Sequence, residues 1–194
     1  VGWYSQAGTP ELAASRVMTD DNQGFAIEFT QNIPETMAKT PRLPLPIPVR
    51  LGLVGDDGAI VPFRLSVDAP YLDEQVILVN GKTHFQPIFP ASSGKIVPSL
   101  LRNFSAPVIL KDDLSSSERL HLMAHDSDMF NRWDAAQTLL ADQILAIAHD
   151  PKYGVDETAI AALAKAYENS LADPDLLDMF KSGLLTIPAI SVLE

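Results

Sequence analysis

The chain has no cysteine among its 194 residues. That rules out disulfides and thiolate metal ligands, and it fits a reducing compartment. It has no apolar run approaching the ~20 residues that a membrane-spanning helix needs. Its first residues, Val1-Gly-Trp-Tyr4, lack the basic start and apolar stretch of a secretion signal. They also lack an initiator Met, which predicts a chain cut from a longer polypeptide. Basic charge is scarce: 14 Lys and Arg stand against 25 Asp and Glu, for a net charge of −11. Residues 1–113 hold 9 basic and 12 acidic side chains (−3), whereas 114–194 hold 5 and 13 (−8). So acidic a second half argues against nucleic-acid binding, which needs a basic footprint. It reads as a solvated acidic surface.

Catalytic motifs are equally scarce. No Gly-x-Ser-x-Gly elbow is present. Gly55-Asp-Asp-Gly58 lacks both the Gly-Lys-Ser/Thr ending and the following helix of a phosphate loop. His121 and His125 have the i, i+4 spacing of the two histidines in His-Glu-x-x-His zinc sites, but Leu122 stands where the general-base glutamate would be. Asp126 and Asp128 are near in sequence, yet no third ligand is signalled. His125 is therefore read as a capping or hydrogen-bonding residue at a helix junction. Arg132 and Asp134 flank Trp133 and read as a buried structural pair rather than an acid–base couple. Trp3 and Tyr4 read as core aromatics rather than a ligand platform.

What is present is a change of pattern near residue 114. Twelve of the 15 prolines precede it. Leu12–Thr19 and Phe25–Gln31 read as a hairpin across the Asp20–Gly24 turn, with Phe25, Ile27 and Phe29 alternating onto one face. Pro34 to Pro48 contains five prolines and reads as an extended crossover rather than a motif for a proline-binding partner. Ile47–Val54 and Ala59–Leu65 flank Gly55-Asp-Asp-Gly58, a hairpin turn signal. Gln75–Gly81 and Lys82–Phe89 flank Asn80-Gly81 in the same way. A long connection through Ser92-Ser-Gly94 leads to Ala106–Lys111. Seven such strands with turns at these intervals predict an antiparallel Ig-like β-sandwich over residues 1–113.

Residues 114–194 read as antiparallel helical hairpins. Ser115 and Glu118 have capping-box spacing. Asp126–Asp150 follows as a long helix, with Asp126, Ser127 or Asp128 as its cap and Pro151 at its end. Met129, Trp133, Ala136, Leu140, Ile144 and Ile147 lie along one face. Asp156 caps a helix to about Ser170, with Ile160, Leu163, Tyr167 and Leu171 on one face. Asp173-Pro174 reads as an N-cap and first helical residue, Gly183 as a C-terminal cap, and Pro188 as the start of a further helix.

Four stretches, Trp3-Tyr-Ser-Gln-Ala-Gly-Thr-Pro10, Pro87-Ile-Phe-Pro90, Arg102-Asn-Phe-Ser-Ala-Pro-Val108 and Arg132-Trp-Asp-Ala-Ala-Gln137, together resemble the bacterial aminopeptidase N family of zinc metallopeptidases. The likeness runs in the same order across essentially the whole chain. It implies a β-sandwich followed by the opening helices of an α-solenoid-like domain within a larger cytoplasmic enzyme, which removes N-terminal residues from peptides with a bound zinc. Its partners would be the catalytic and remaining helical domains of the same polypeptide, with no nucleic acid and no membrane. The family's Gly-x-Met-Glu-Asn and His-Glu-x-x-His motifs are absent here. No catalytic, cofactor-binding or metal-binding residue is therefore assigned in this chain, which predicts an inactive segment that joins the catalytic domain to the helical one. Apolar helix faces around Leu176, Phe180, Leu184 and Leu185 would await later helices and favour self-association. The alternative from another class is a free-standing sandwich that acts as an interaction module without enzymatic activity.

Overall fold

A computed structural model describes residues 3, 8–19, 24–33, 43–90, 94–149 and 156–189. The first part of the chain forms β1 (Glu11–Met18), β2 (Phe25–Asn32), β3 (Pro46–Gly55), β4 (Glu74–Asn80), β5 (Thr83–Phe85), β6 (Ile96–Ser99) and β7 (Ile109–Asp112). The second forms α1 (Ser116–His125), α2 (Met129–His149), α3 (Glu157–Ala172) and α4 (Asp178–Leu184). The chain separates into two compact units, residues 1–56 with 60–113 and residues 57–59 with 114–194.

The β unit holds two sheets, ordered β5-β2-β1-β7 and β4-β3-β6. Alternation explains what fills the space between them, because successive strand side chains point to opposite faces. On β3, Ile47, Val49, Leu51 and Leu53 are fully buried, and on β2 Phe25, Ile27 and Phe29 alternate inward. They share one core cluster with Leu12, Phe63 and Val79. Pairing is antiparallel except between β1 and β7, which run parallel with Glu11 opposite Ile109 and Ala14 opposite Asp112.

Two expected pairings differ, and one strand is unexpected. Ala59–Leu65 forms no regular strand and makes only the isolated bridges Val54–Ile60, Phe63–Leu72 and Arg64–Ile88. Pro62 interrupts this run and has no N–H to give a ladder. Asn80-Gly81 does turn the chain, with φ +74° at Gly81. The returning strand, however, crosses to the other sheet, where Phe85 lies opposite Ile27 on β2. Finally, Ile96–Ser99 is a strand despite Pro98. It lies at the end of its sheet, where a proline is tolerated.

In the helical unit the capping box is present: Glu118 N donates to Ser115 Oγ at 3.3 Å, and Ser115 N donates to Glu118 Oε2 at 2.9 Å. Of the three candidate caps for α2, Asp128 does the work, since its Oδ1 accepts from Asn131 N at 2.9 Å. Asp156 Oδ1 accepts from Ala159 N at 3.0 Å and caps α3. The last helix begins later than the sequence suggests. Asp173 follows α3 as its C-terminal flank, α4 starts at Asp178, and Gly183 lies inside it. Asp173 Oδ1 is taken by Asp175 N at 3.0 Å, so the Asp-Pro pair makes a turn rather than a helix start. The buried face of α2 also departs from the apolar stripe. Ala136 is buried, but Met129 and Ile147 are exposed, while Asn131, Arg132, Gln137 and Leu139 are buried. The Asp20–Gly24 turn up to residue 23, most of the proline-rich crossover, Ser92-Ser93, Pro151 and Tyr4 lie outside the described residues, as does the chain beyond 189.

Candidate functional site

Three polar constellations stand out, each within one unit. In the β unit Gly52 sits mid-strand on β3, where a glycine signals a close approach. The approaching group is Arg102, for a Cβ built at Gly52 would overlap its guanidinium. Arg102 is buried, and its Nε lies 3.8 Å from Glu74 Oε2. Arg50 Nη1 holds the other oxygen of that carboxylate at 2.6 Å, and Arg50 N donates to Ser105 Oγ at 3.0 Å. The turn that delivers Arg102 is strained: Leu101, Asn103 and Phe104 all have φ near +50°. Such backbone persists only where its surroundings hold it. The glycine in β3 was the signal for this cluster, but only the fold shows which side chain uses it.

In the helical unit the buried Arg132 reaches three groups. Its Nε donates to the Met123 carbonyl at 2.9 Å, Nη2 to Ser170 Oγ at 3.3 Å and Nη1 to Asp173 Oδ2 at 3.4 Å. The fork therefore ties the end of α1 and the end of α3 to the first turn of α2. Asp134, the neighbour expected to pair with it, is exposed. The carboxylate that Arg132 meets comes from Asp173, 41 residues along. This arrangement holds helices together.

His121 and His125 do lie together, with ring centroids 4.8 Å apart. Burial lowers the proton affinity of His125 below its ordinary value, and His121 and Arg132 push the same way, while Asp57 opposes them. Asp126 accepts from Asp128 N at 2.9 Å through its Oδ1. Among the described residues no group of three or more His, Asp or Glu is placed to hold a metal ion. Two imidazoles without a third ligand among the described residues do not make a zinc centre. In the β unit Trp3 packs on the core and donates its Nε1–H to the Pro46 carbonyl at 3.1 Å, which is a structural use of the ring. No helix is long and apolar enough to cross a membrane among the described residues.

Residues 116–194 match the model described as a domain of unknown function with ARM repeats (DUF3458_C). The chain is 29% identical over 195 residues to aminopeptidase N of Escherichia coli (strain K12), covering 97% of this chain and 21% of that protein. It is 34% identical over 189 residues to aminopeptidase N of Caulobacter vibrioides, covering 97% of this chain and 20% of that one. A crystal structure of Legionella pneumophila aminopeptidase A in complex with aspartic acid aligns over 99% of this chain and 20% of its own, with a TM-score of 0.76 at 25% identity. The chain thus spans about a fifth of the length of these relatives. Residues 8–113 match the model of a domain of unknown function with an Ig-like fold, and the chain belongs to that family, DUF3458.

Proposed function

We propose that this chain is a non-catalytic segment of a cytoplasmic zinc-dependent aminopeptidase. In that enzyme it joins the peptide-hydrolysing domain to a helical domain that covers the active site. One observation carries the proposal: the match to aminopeptidase N extends over 97% of this chain but only about a fifth of the relatives. The zinc and the general base would come from elsewhere in the polypeptide, because the His-Glu-x-x-His motif is absent from this chain. Peptide substrates would meet the catalytic domain, and this chain would contact the other domains of the same polypeptide.

We further propose that the segment comprises two domains, 1–113 and 114–194. The family matches that end at residue 113 and resume at 116, together with the two compact units, support this division. Asp113 accepts Arg16 N at 2.7 Å and Arg16 Nε at 2.9 Å, so the last residue of the β unit is fastened to β1. That clamp fixes where the chain leaves the sandwich.

The test compares the 194-residue chain with the intact polypeptide on an alanine anilide. The expected result is hydrolysis by the intact protein, its loss on chelation, and no hydrolysis by the 194-residue chain with or without added zinc. An intact polypeptide without aminopeptidase activity would overturn the reading and favour a free-standing interaction module.

A further inference from the structure

The His121–His125 pair takes no part in the function proposed above, yet its surroundings are built with unusual care. Residues 57–59 belong to the same compact unit as α1. Gly58 has φ +82°, and a Cβ placed on it would lie 2.5 Å from His125 Nδ1 and 2.7 Å from its Cγ. The position thus calls for glycine twice, for its left-handed backbone and for the space that the imidazole fills. Around His125 stand His121 from the same helix, Arg132 from α2 and Asp57 from the turn. Asp57 thus offsets one fixed cation and a second imidazole, and the buried carboxylate of Asp126 follows His125 in the chain.

We propose that His121, His125 and the Gly58 turn form an acid-released latch within this unit. With His125 neutral, its ring packs on the Gly58 backbone and holds the 57–59 turn. A proton on His125 places a cation in a partly desolvated site beside a second imidazole and the Arg132 guanidinium. His125 is already exposed, so the protonated ring leaves the Gly58 backbone without crossing the core, and the turn is released. Burial first, then His121 and Arg132, depress the folded-state proton affinity of His125 below 6.5, with Asp57 as a partial offset. A group that binds protons more weakly in the closed state opens that state as pH falls. The latch is closed above pH 6.5 and opens as the pH drops below it.

The test is an NMR titration of the full 194-residue chain from pH 8 to pH 5. It follows the His125 ring Cε1–H and the Gly58 amide. The expected result is a His125 midpoint below 6.5 with the Gly58 amide shift tracing the same curve. His121→Gln should raise that midpoint, and Asp57→Asn should lower it further. Neither residue is buried, so both variants should fold. Gly58→Ala should move the ring out of its seat and return the midpoint toward 6.5. A His125 midpoint at or above 6.5 in the unaltered chain would overturn the latch. So would a Gly58 amide that ignores the His125 titration, or a midpoint unmoved by both the His121 and Asp57 substitutions.

Discussion

Arg102 and Arg132 are the buried guanidiniums among the described residues, and both act as fasteners. Removing one member of a fully buried charged pair typically costs about 3–5 kcal/mol, and the partly exposed carboxylates of Asp173 and Glu74 put these two arginines at or below the low end. Arg132→Ala should therefore lower the stability of the helical unit by roughly 3 kcal/mol. Arg132→Lys should recover only part of this, because an ammonium cannot reach Met123, Ser170 and Asp173 with one planar fork. Chemical denaturation followed by circular dichroism at 222 nm reads both variants. At Gly52 the expected fault is overpacking. Gly52→Ala pushes a methyl group into the Arg102 guanidinium and should destabilise the β unit by about 2 kcal/mol. A calorimetric midpoint unchanged by that methyl group would show that Arg102 is free to move aside. Arg132 itself was legible in the sequence as a buried polar residue. Its partner was not, because Asp173 comes near only when α2 and α3 pack together.

At the scale of elements, local capping chemistry carried most of the information. Ser115 and Glu118 satisfy each other's backbone donors within one turn, and nothing distant is needed to set their geometry. Ser115→Ala should cost about 1 kcal/mol through the start of α1. Amide exchange at residues 116–118 would reveal the fraying directly. Strands were legible where alternation was clean, as in Phe25, Ile27 and Phe29. They were lost where a proline fell inside the run. Pro62 prevents a ladder in one segment, whereas Pro98 is accommodated at a sheet end, and local sequence offers no means to separate the two cases. The stripe on α2 shows the converse. Trp133, Leu140 and Ile144 keep helical spacing yet remain only partly buried, and the helix places Arg132, Asn131 and Gln137 on its buried side.

For the whole molecule, exposed apolar side chains occur in both units, and one group of them lies on and after α4. Met179 is 83% exposed, Ile187 74% and Leu185 64%. Leu176 and Leu184, which the sequence placed on an unfilled face, are buried instead. Exposed apolar residues in such number favour association. Light scattering of the 194-residue chain should show concentration-dependent self-association that Met179→Glu with Leu185→Glu abolishes. A chain that stays monomeric at high concentration would remove this patch as an interaction surface. Acid should also act on the whole helical unit. His125 binds protons more weakly when folded, so its stabilising contribution is fully present above pH 6.5 and is lost as pH falls below that value. The thermal midpoint should fall across that interval, and His125→Gln should flatten the fall.

The sequence by itself determined the order of β then α, the Ig-like sandwich, most strand positions, the N-terminal caps of the first three helices and the likeness to aminopeptidase N. Each of these rests on periodicity, on turn and cap chemistry or on short motifs, which act over a few neighbouring residues. Tertiary structure decided which strand pairs with which, including the parallel β1–β7 pair and the crossing of β5 to the other sheet. It also decided that Asp173 rather than Asp134 receives Arg132, that Gly52 makes room for Arg102, and that Gly58 makes room for His125. Those contacts join residues 41 to 67 positions apart, and their energies depend on packing and desolvation that exist only once the chain has folded.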